Sequence, residues 1–218
     1  SYIGLALDGS TDAGNTQSGI RVAGANCVIG NSTVGNVISG NGGAGIELLA
    51  GANGTTIRAN RIGTNAAGTA AVPNDGTGIH GTGGTGALVG GTIAGQGNLI
   101  SGNGGFGIDL DNTSASWIIH GNSIGVDAAG TAALGNAGGG VRMQTDGHTI
   151  GSTFAVGRNV ISGNAFSGIE IGSTADGVTV FGNFIGANAA GTAALAGQAT
   201  GIRVFGANCT IGGADATT

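Results

Sequence analysis

The chain has 218 residues, of which 51 are Gly and one is Pro; 8% are charged, and the formal net charge is −5. Six Arg and no Lys leave no basic stripe to neutralise a phosphate backbone, which argues against nucleic acid as a partner. No apolar stretch reaches membrane-spanning length and no signal peptide precedes Ser1, so the expectation is a mature segment, or a piece of something longer, that does not act on a membrane.

So much Gly approaches the level at which disorder is the default reading, but here the glycines fall at fixed offsets between β-branched residues. From the N-terminus, Ser1-Tyr2-Ile3-Gly4 matches Asn183-Phe184-Ile185-Gly186, so the chain enters in mid-coil. Gly-Ile or Gly-Val, followed by a short strand, begins at Gly19, Gly45, Gly78, Gly107, Gly140, Gly168 and Gly201. The steps are 26, 33, 29, 33, 28 and 33 residues, so two kinds of coil alternate. The phrase Asn-x-Ile-Ser-Gly-Asn, at Asn36–Asn41, Asn98–Asn103 and Asn159–Asn164, recurs at steps of 62 and 61. Within the first kind of coil the spacing is rigid: Ile38 to Ile46, Ile100 to Ile108 and Ile161 to Ile169 are each eight residues. Helical periodicity is absent; short apolar runs punctuated by Gly and Asn predict three short strands per coil, stacked in parallel. Fixed self-similarity means that each coil buries its apolar face against its neighbours. The prediction is an all-β solenoid of about seven coils over residues 1–218, in three and a half two-coil repeats of about 61 residues. The sequence leaves at Ile211-Gly212-Gly213-Ala214, where another Asn-x-Ile-Ser-Gly-Asn would begin, so a segment of a longer solenoid is expected.

Three further features sit at fixed positions in the repeat. Asn36, Asn60, Asn98, Asn122, Asn159 and Asn183 recur just before the third segment of a coil, and this column is read as an internal asparagine ladder. Long, almost chargeless insertions occupy every second coil at Asp8 to Asn15, Asn65 to Val72, Asp127 to Leu134 and Asn188 to Leu195, where decoration or lateral packing is expected. Cys27 and Cys209 hold one repeat position six rungs apart, about 29 Å at ~4.8 Å per rung, which is far too distant for a disulfide. Free thiols filling the core are expected.

Asn-x-Ile-Ser-Gly-Asn, Ile-Gly-Thr-Asn-Ala-Ala-Gly-Thr (Ile62 to Thr69) and Ile-Gly-Gly (Ile211 to Gly213) resemble the right-handed parallel β-helix repeats of large bacterial surface and secreted proteins. The resemblance covers the whole chain and implies the pectin-lyase-like fold and an extracellular or cell-surface location. Lyases, hydrolases, adhesin stalks and tailspikes share that fold, so it does not choose among activities.

Candidate site residues lie after each Gly-Ile. The outward position reads Arg21, Glu47, His80, Asp109, Arg142, Glu170, Arg203, alternating basic and acidic. Stacked neighbours of opposite charge each contribute roughly 0.2–1 kcal/mol, so a salt-bridge ladder setting the register is the first reading. A charged face that binds or cleaves a polysaccharide or cell-surface glycan is the second. Asp109-Leu110-Asp111-Asn112 is the densest acidic spot, and with Arg142 it offers a lyase-like arrangement around Ca²⁺, with Arg142 as base. Calcium wants six to eight oxygens, more than this cluster supplies. Polygalacturonase-like hydrolysis would need Gly-His-Gly, and Gly78-Ile79-His80-Gly81 departs from it. His80, His120 and His148 fall on different segments, which argues against a zinc site. Trp117 shares parity with Ile119 and is predicted to point inward. The function expected is structural, a stiff stalk or adhesin-like region without catalysis, cofactor or metal, able to associate end to end through uncapped coils. The alternative is a carbohydrate-active module using Asp109, Asp111 and Arg142.

Overall fold

Runs of two or three β-branched residues are too short to form a stable sheet alone, and each gains its partners only from copies above and below. The computed structural model describes residues 1–32, 34–111 and 113–213. Among these, 21 strands of two to five residues form three parallel seven-stranded sheets. The first sheet runs Tyr2–Ile3, Val37–Ile38, Arg61–Ile62, Leu99–Ile100, Ser123–Ile124, Val160–Ile161, Phe184–Ile185. Successive coils contribute the second, from Ile20–Val22 to Thr200–Val204, and the third, from Val28–Ile29 to Thr210–Ile211. Each strand pairs with the copy one coil away, which gives seven coils of three strands: a parallel β-helix, as the repeat predicts. Asn112, at the end of the acidic run, lies outside the described residues.

The core is a stack of aliphatic columns. Ile38, Ile62, Ile100, Ile124 and Ile161 form one, and Ile46, Ile79, Ile108, Val141 and Ile169 another, all fully buried. A third column, two residues before the inward Ile or Val of the third sheet, reads Cys27, Thr55, Ala87, Trp117, His148, Val178, Cys209. Both cysteines are free and pack half-buried against the core, more open than the expected core fillers because the terminal coils lack a neighbour on one side.

The glycine of each Gly-Ile or Gly-Val from Gly19 to Gly168 is required by close approach. A Cβ on Gly107 would lie 2.8 Å from the Gly140 carbonyl oxygen, 2.8 Å from Ile124 Cγ2 and 2.9 Å from Asn136 Nδ2. Backbone of the next coil cannot give way, so Gly107→Ala is expected to cost about 2 kcal/mol of overpacking. Gly24→Ala is the control, since its Cβ would meet only Cys27 Sγ at 3.8 Å. Urea unfolding of both variants checks this, with the midpoint falling for Gly107→Ala alone.

The insertions fold back over the outer face of the first sheet. Each is closed by an antiparallel bridge, Leu5 to Asp12, Thr64 to Ala71, Val126 to Ala133 and Ala187 to Ala194. Gly68 sits against Leu99 and Arg61, and Gly191 against the Phe184 ring. That cover explains why the outward-facing Val37, Leu99 and Val160 are buried. Insertions two coils apart also bond to each other, with the Ala66, Ala128 and Ala189 amides donating to the Gly9, Gly68 and Gly130 carbonyls at 2.7–2.9 Å. Near-identity and lack of charge follow from this packing.

His148 is a buried polar group in the third column. The Trp117 amide donates to its Nδ1 at 3.1 Å, so Nε2 carries the proton and donates to Thr145 Oγ1 at 2.9 Å. Burial pushes its pKa down from 6.5 to about 4. The unfolded chain therefore takes up a proton between those values and the folded chain does not, so stability is lost as pH falls from about 6.5 towards 4. The loss approaches about 3 kcal/mol. Thermal melts at pH 7 and pH 4.5 check this: the drop in midpoint is expected to shrink in His148→Gln.

Candidate functional site

Two asparagine ladders frame the first sheet. In the first, the Nδ2 of Asn36, Asn60, Asn98, Asn122 and Asn159 donates to the Oδ1 of Asn60, Asn98, Asn122, Asn159 and Asn183 in turn, at 2.8–3.1 Å. The backbone amide of each of the first four donates to the same oxygen. All six residues of the predicted column belong to it. The second ladder, at the opposite turn, runs Asn15, Asn41, Asn74, Asn103, Asn136 and Asn164, with side-chain bonds of 2.8–2.9 Å. Sequence reasoning names only the first ladder. Both satisfy buried amides where the chain turns and has no sheet partner. Ser39, Ser101 and Ser162 add a third series, each hydroxyl donating to a carbonyl of the next coil, at Thr64, Val126 and Ala187.

The second sheet carries the charged column. Arg21, Glu47, His80, Asp109, Arg142, Glu170 and Arg203 are consecutive Cα partners in one register. Their side chains pair off in twos, however, and do not form a continuous ladder. Arg21 Nε meets Glu47 at 2.8 Å, Arg142 meets Asp109, and Arg203 Nη1 meets Glu170 at 3.2 Å. The Arg142 pair is bidentate, Nε to Oδ1 at 2.7 Å and Nη2 to Oδ2 at 2.6 Å. Asp109 is 4% exposed, which makes this the one pair shielded enough to matter energetically. Hydrogen bonding to Asp109 holds the Arg142 guanidinium above its ordinary pKa, and its face lies 4.7 Å from the Phe106 ring centre.

With Asp109 occupied, His80 turns to the diagonal neighbour, its Nε2 2.9 Å from Asp111 Oδ2. His80, Asp109, Asp111 and Arg142 thus form one cluster on adjacent coils, half-open to solvent on the His80 and Asp111 side. His120 and His148 stand elsewhere, on the third sheet and in the core column. A groove of about 410 Å³ lies on a different face, lined by Gly35, Asn60, Arg61, Leu99, Gly121 and Ala128 among others. Arg61 is its one ionisable lining residue, so it offers no acid–base pair.

This architecture defines a class: a right-handed, parallel, asparagine-laddered β-solenoid. The chain belongs to the right-handed β-helix family, whose model, described as a right handed beta helix region, matches residues 4–211. No curated protein and no solved structure matches the chain.

Proposed function

We propose that the chain is a structural rod: a β-helical stalk or adhesin-like region of a bacterial surface or secreted protein, holding other parts of its protein at a fixed distance. The observation that carries this reading is the continuity of the coil-to-coil bonding. Three sheets, two asparagine ladders and the stacked insertions all run along the axis, and none is interrupted to build a cleft. The charged column fits the same role, because its paired groups fix which coil sits on which.

A second reading rests on the cluster itself. His80, Asp109, Asp111 and Arg142 beside Phe106 offer acid, base and cation to a polysaccharide or cell-surface glycan on an exposed sheet face. Chain-length analysis of acidic and neutral polysaccharides incubated with the protein, with and without Ca²⁺, decides between the two. The rod predicts no shortening of any polymer. Shortening that disappears in Asp109→Asn would replace it with a lyase or hydrolase.

A further inference from the structure

We infer that His80, Asp109 and Asp111 bind a divalent transition-metal ion of the zinc or cobalt class on the outer face of the second sheet. Their ligand atoms all lie within 4.8 Å of one another. The place is where the repeat is broken twice. In the charged column the other basic positions are Arg21, Arg142 and Arg203, and only this coil has His. Two residues further on, the other coils carry Ala23, Leu49, Thr82, Gln144, Gly172 and Phe205, and only the coil of Asp109 has an acid, Asp111. An ion-pair role alone would be met by Arg at position 80, directly across from Asp109. The two departures instead meet diagonally, His80 against Asp111.

One imidazole nitrogen and two carboxylate oxygens are a ligand set for zinc and its neighbours in the first transition row. Calcium and magnesium prefer oxygens alone, in larger number. Ligand atoms of a tetrahedral zinc stand about 3.3 Å apart, as Zn–N and Zn–O bonds of roughly 2.0–2.2 Å require, so modest side-chain rotation closes the site. Each Asp109 oxygen accepts one bond from Arg142 and keeps a second lone pair, so Arg142 can hold the carboxylate in place while it ligates. The ion would replace the His80–Asp111 contact and draw the two side chains together. The half-exposed His80 and Asp111 leave the remaining position to water or an outside ligand. This inference is independent of the rod reading, since a stalk or an enzyme could each carry such an ion.

The test uses the whole chain, stripped of metal with a chelator, at pH 7.5. Zn²⁺ is titrated calorimetrically and Co²⁺ by visible absorption, into the wild type, His80→Ala and Asp111→Asn. One saturable equivalent is expected, weakened at least about ten-fold in each variant, with Ca²⁺ at the same concentration giving no saturable heat. No saturable binding by the wild type, equal binding by the variants, or equal affinity for Ca²⁺ would overturn the assignment. A reading that needs no variant comes from the wild type's nuclear magnetic resonances. Co²⁺ should shift those of His80 and Arg142 and spare His120 and His148; shifts centred on the latter pair or on the cysteines would also overturn it.

Discussion

Asn98→Ala is expected to cost about 4 kcal/mol, although it removes no charge and little volume. The Asn98 side chain accepts from the Asn60 amide at 3.0 Å and from Asn60 Nδ2 at 3.1 Å, and donates to Asn122 Oδ1 and the Ile57 carbonyl at 2.9 Å each. It is 2% exposed, so water cannot replace those partners. Four lost bonds at about 1 kcal/mol each, one of which leaves the buried Asn60 backbone amide without a partner, give that sum. Asn36 is half-buried at the end of the same ladder and its side chain donates to Asn60 Oδ1 at 3.0 Å, so Asn36→Ala should cost about 1 kcal/mol. Paired urea titrations distinguish a ladder from unrelated turn residues: equal losses at the two positions would contradict cohesion through the column.

Trp117→Ala is expected to cost about 4–5 kcal/mol, the largest effect of a single core substitution. The indole is fully buried, and its Nε1 donates to the Gly84 carbonyl at 3.0 Å. Room for it comes from the coil below, where Gly81 stands in a column otherwise made of Val22, Leu48, Leu110, Met143, Ile171 and Val204. A Cβ on Gly81 would approach Trp117 Cζ2 to 2.9 Å. The substitution therefore opens a cavity that rigid neighbouring coils cannot collapse into. Thermal unfolding should show the loss, and Trp117→Phe should recover about half of it while leaving the Gly84 carbonyl without its donor.

The strands were legible because side-chain parity and spacing are the same information in a solenoid. An inward Ile must stand over an inward Ile, and Ile38, Ile100 and Ile161 declare their coil by the eight residues that follow. Parity also placed Trp117 correctly. The second asparagine ladder is hidden when spacing is counted forward from the first-sheet isoleucines, because it lies three residues after Ile38, Ile100 and Ile161 but twelve after Ile62 and Ile124, beyond an insertion. Counted back from Gly-Ile it is plain: Asn15, Asn41, Asn74, Asn103, Asn136 and Asn164 each stand four residues before that glycine. His148 could be found likewise, by its shared parity with Ile150.

The charged face was legible in register and not in pairing. Alternating signs predict a continuous ladder only if each group serves both neighbours equally. A guanidinium that grips one carboxylate with two donors, as Arg142 grips Asp109, has little left for Glu170 on its other side. The imidazole of His80 is shorter and has one nitrogen in reach, so the choice of Asp111 over Asp109 depends on side-chain geometry that spacing does not encode.

A stiff stack, in which every coil rests in register on the next, can be measured directly, because the two native cysteines supply the ruler. Spin labels on Cys27 and Cys209, one column and six rungs apart, should give a single narrow distance near 29 Å plus the label arms. Deleting residues 99–159, which joins Asn98 to Val160 and preserves the repeat phrase, should shorten it by about 10 Å and keep it narrow. A broad distribution, or a distance unmoved by the deletion, would contradict the rod.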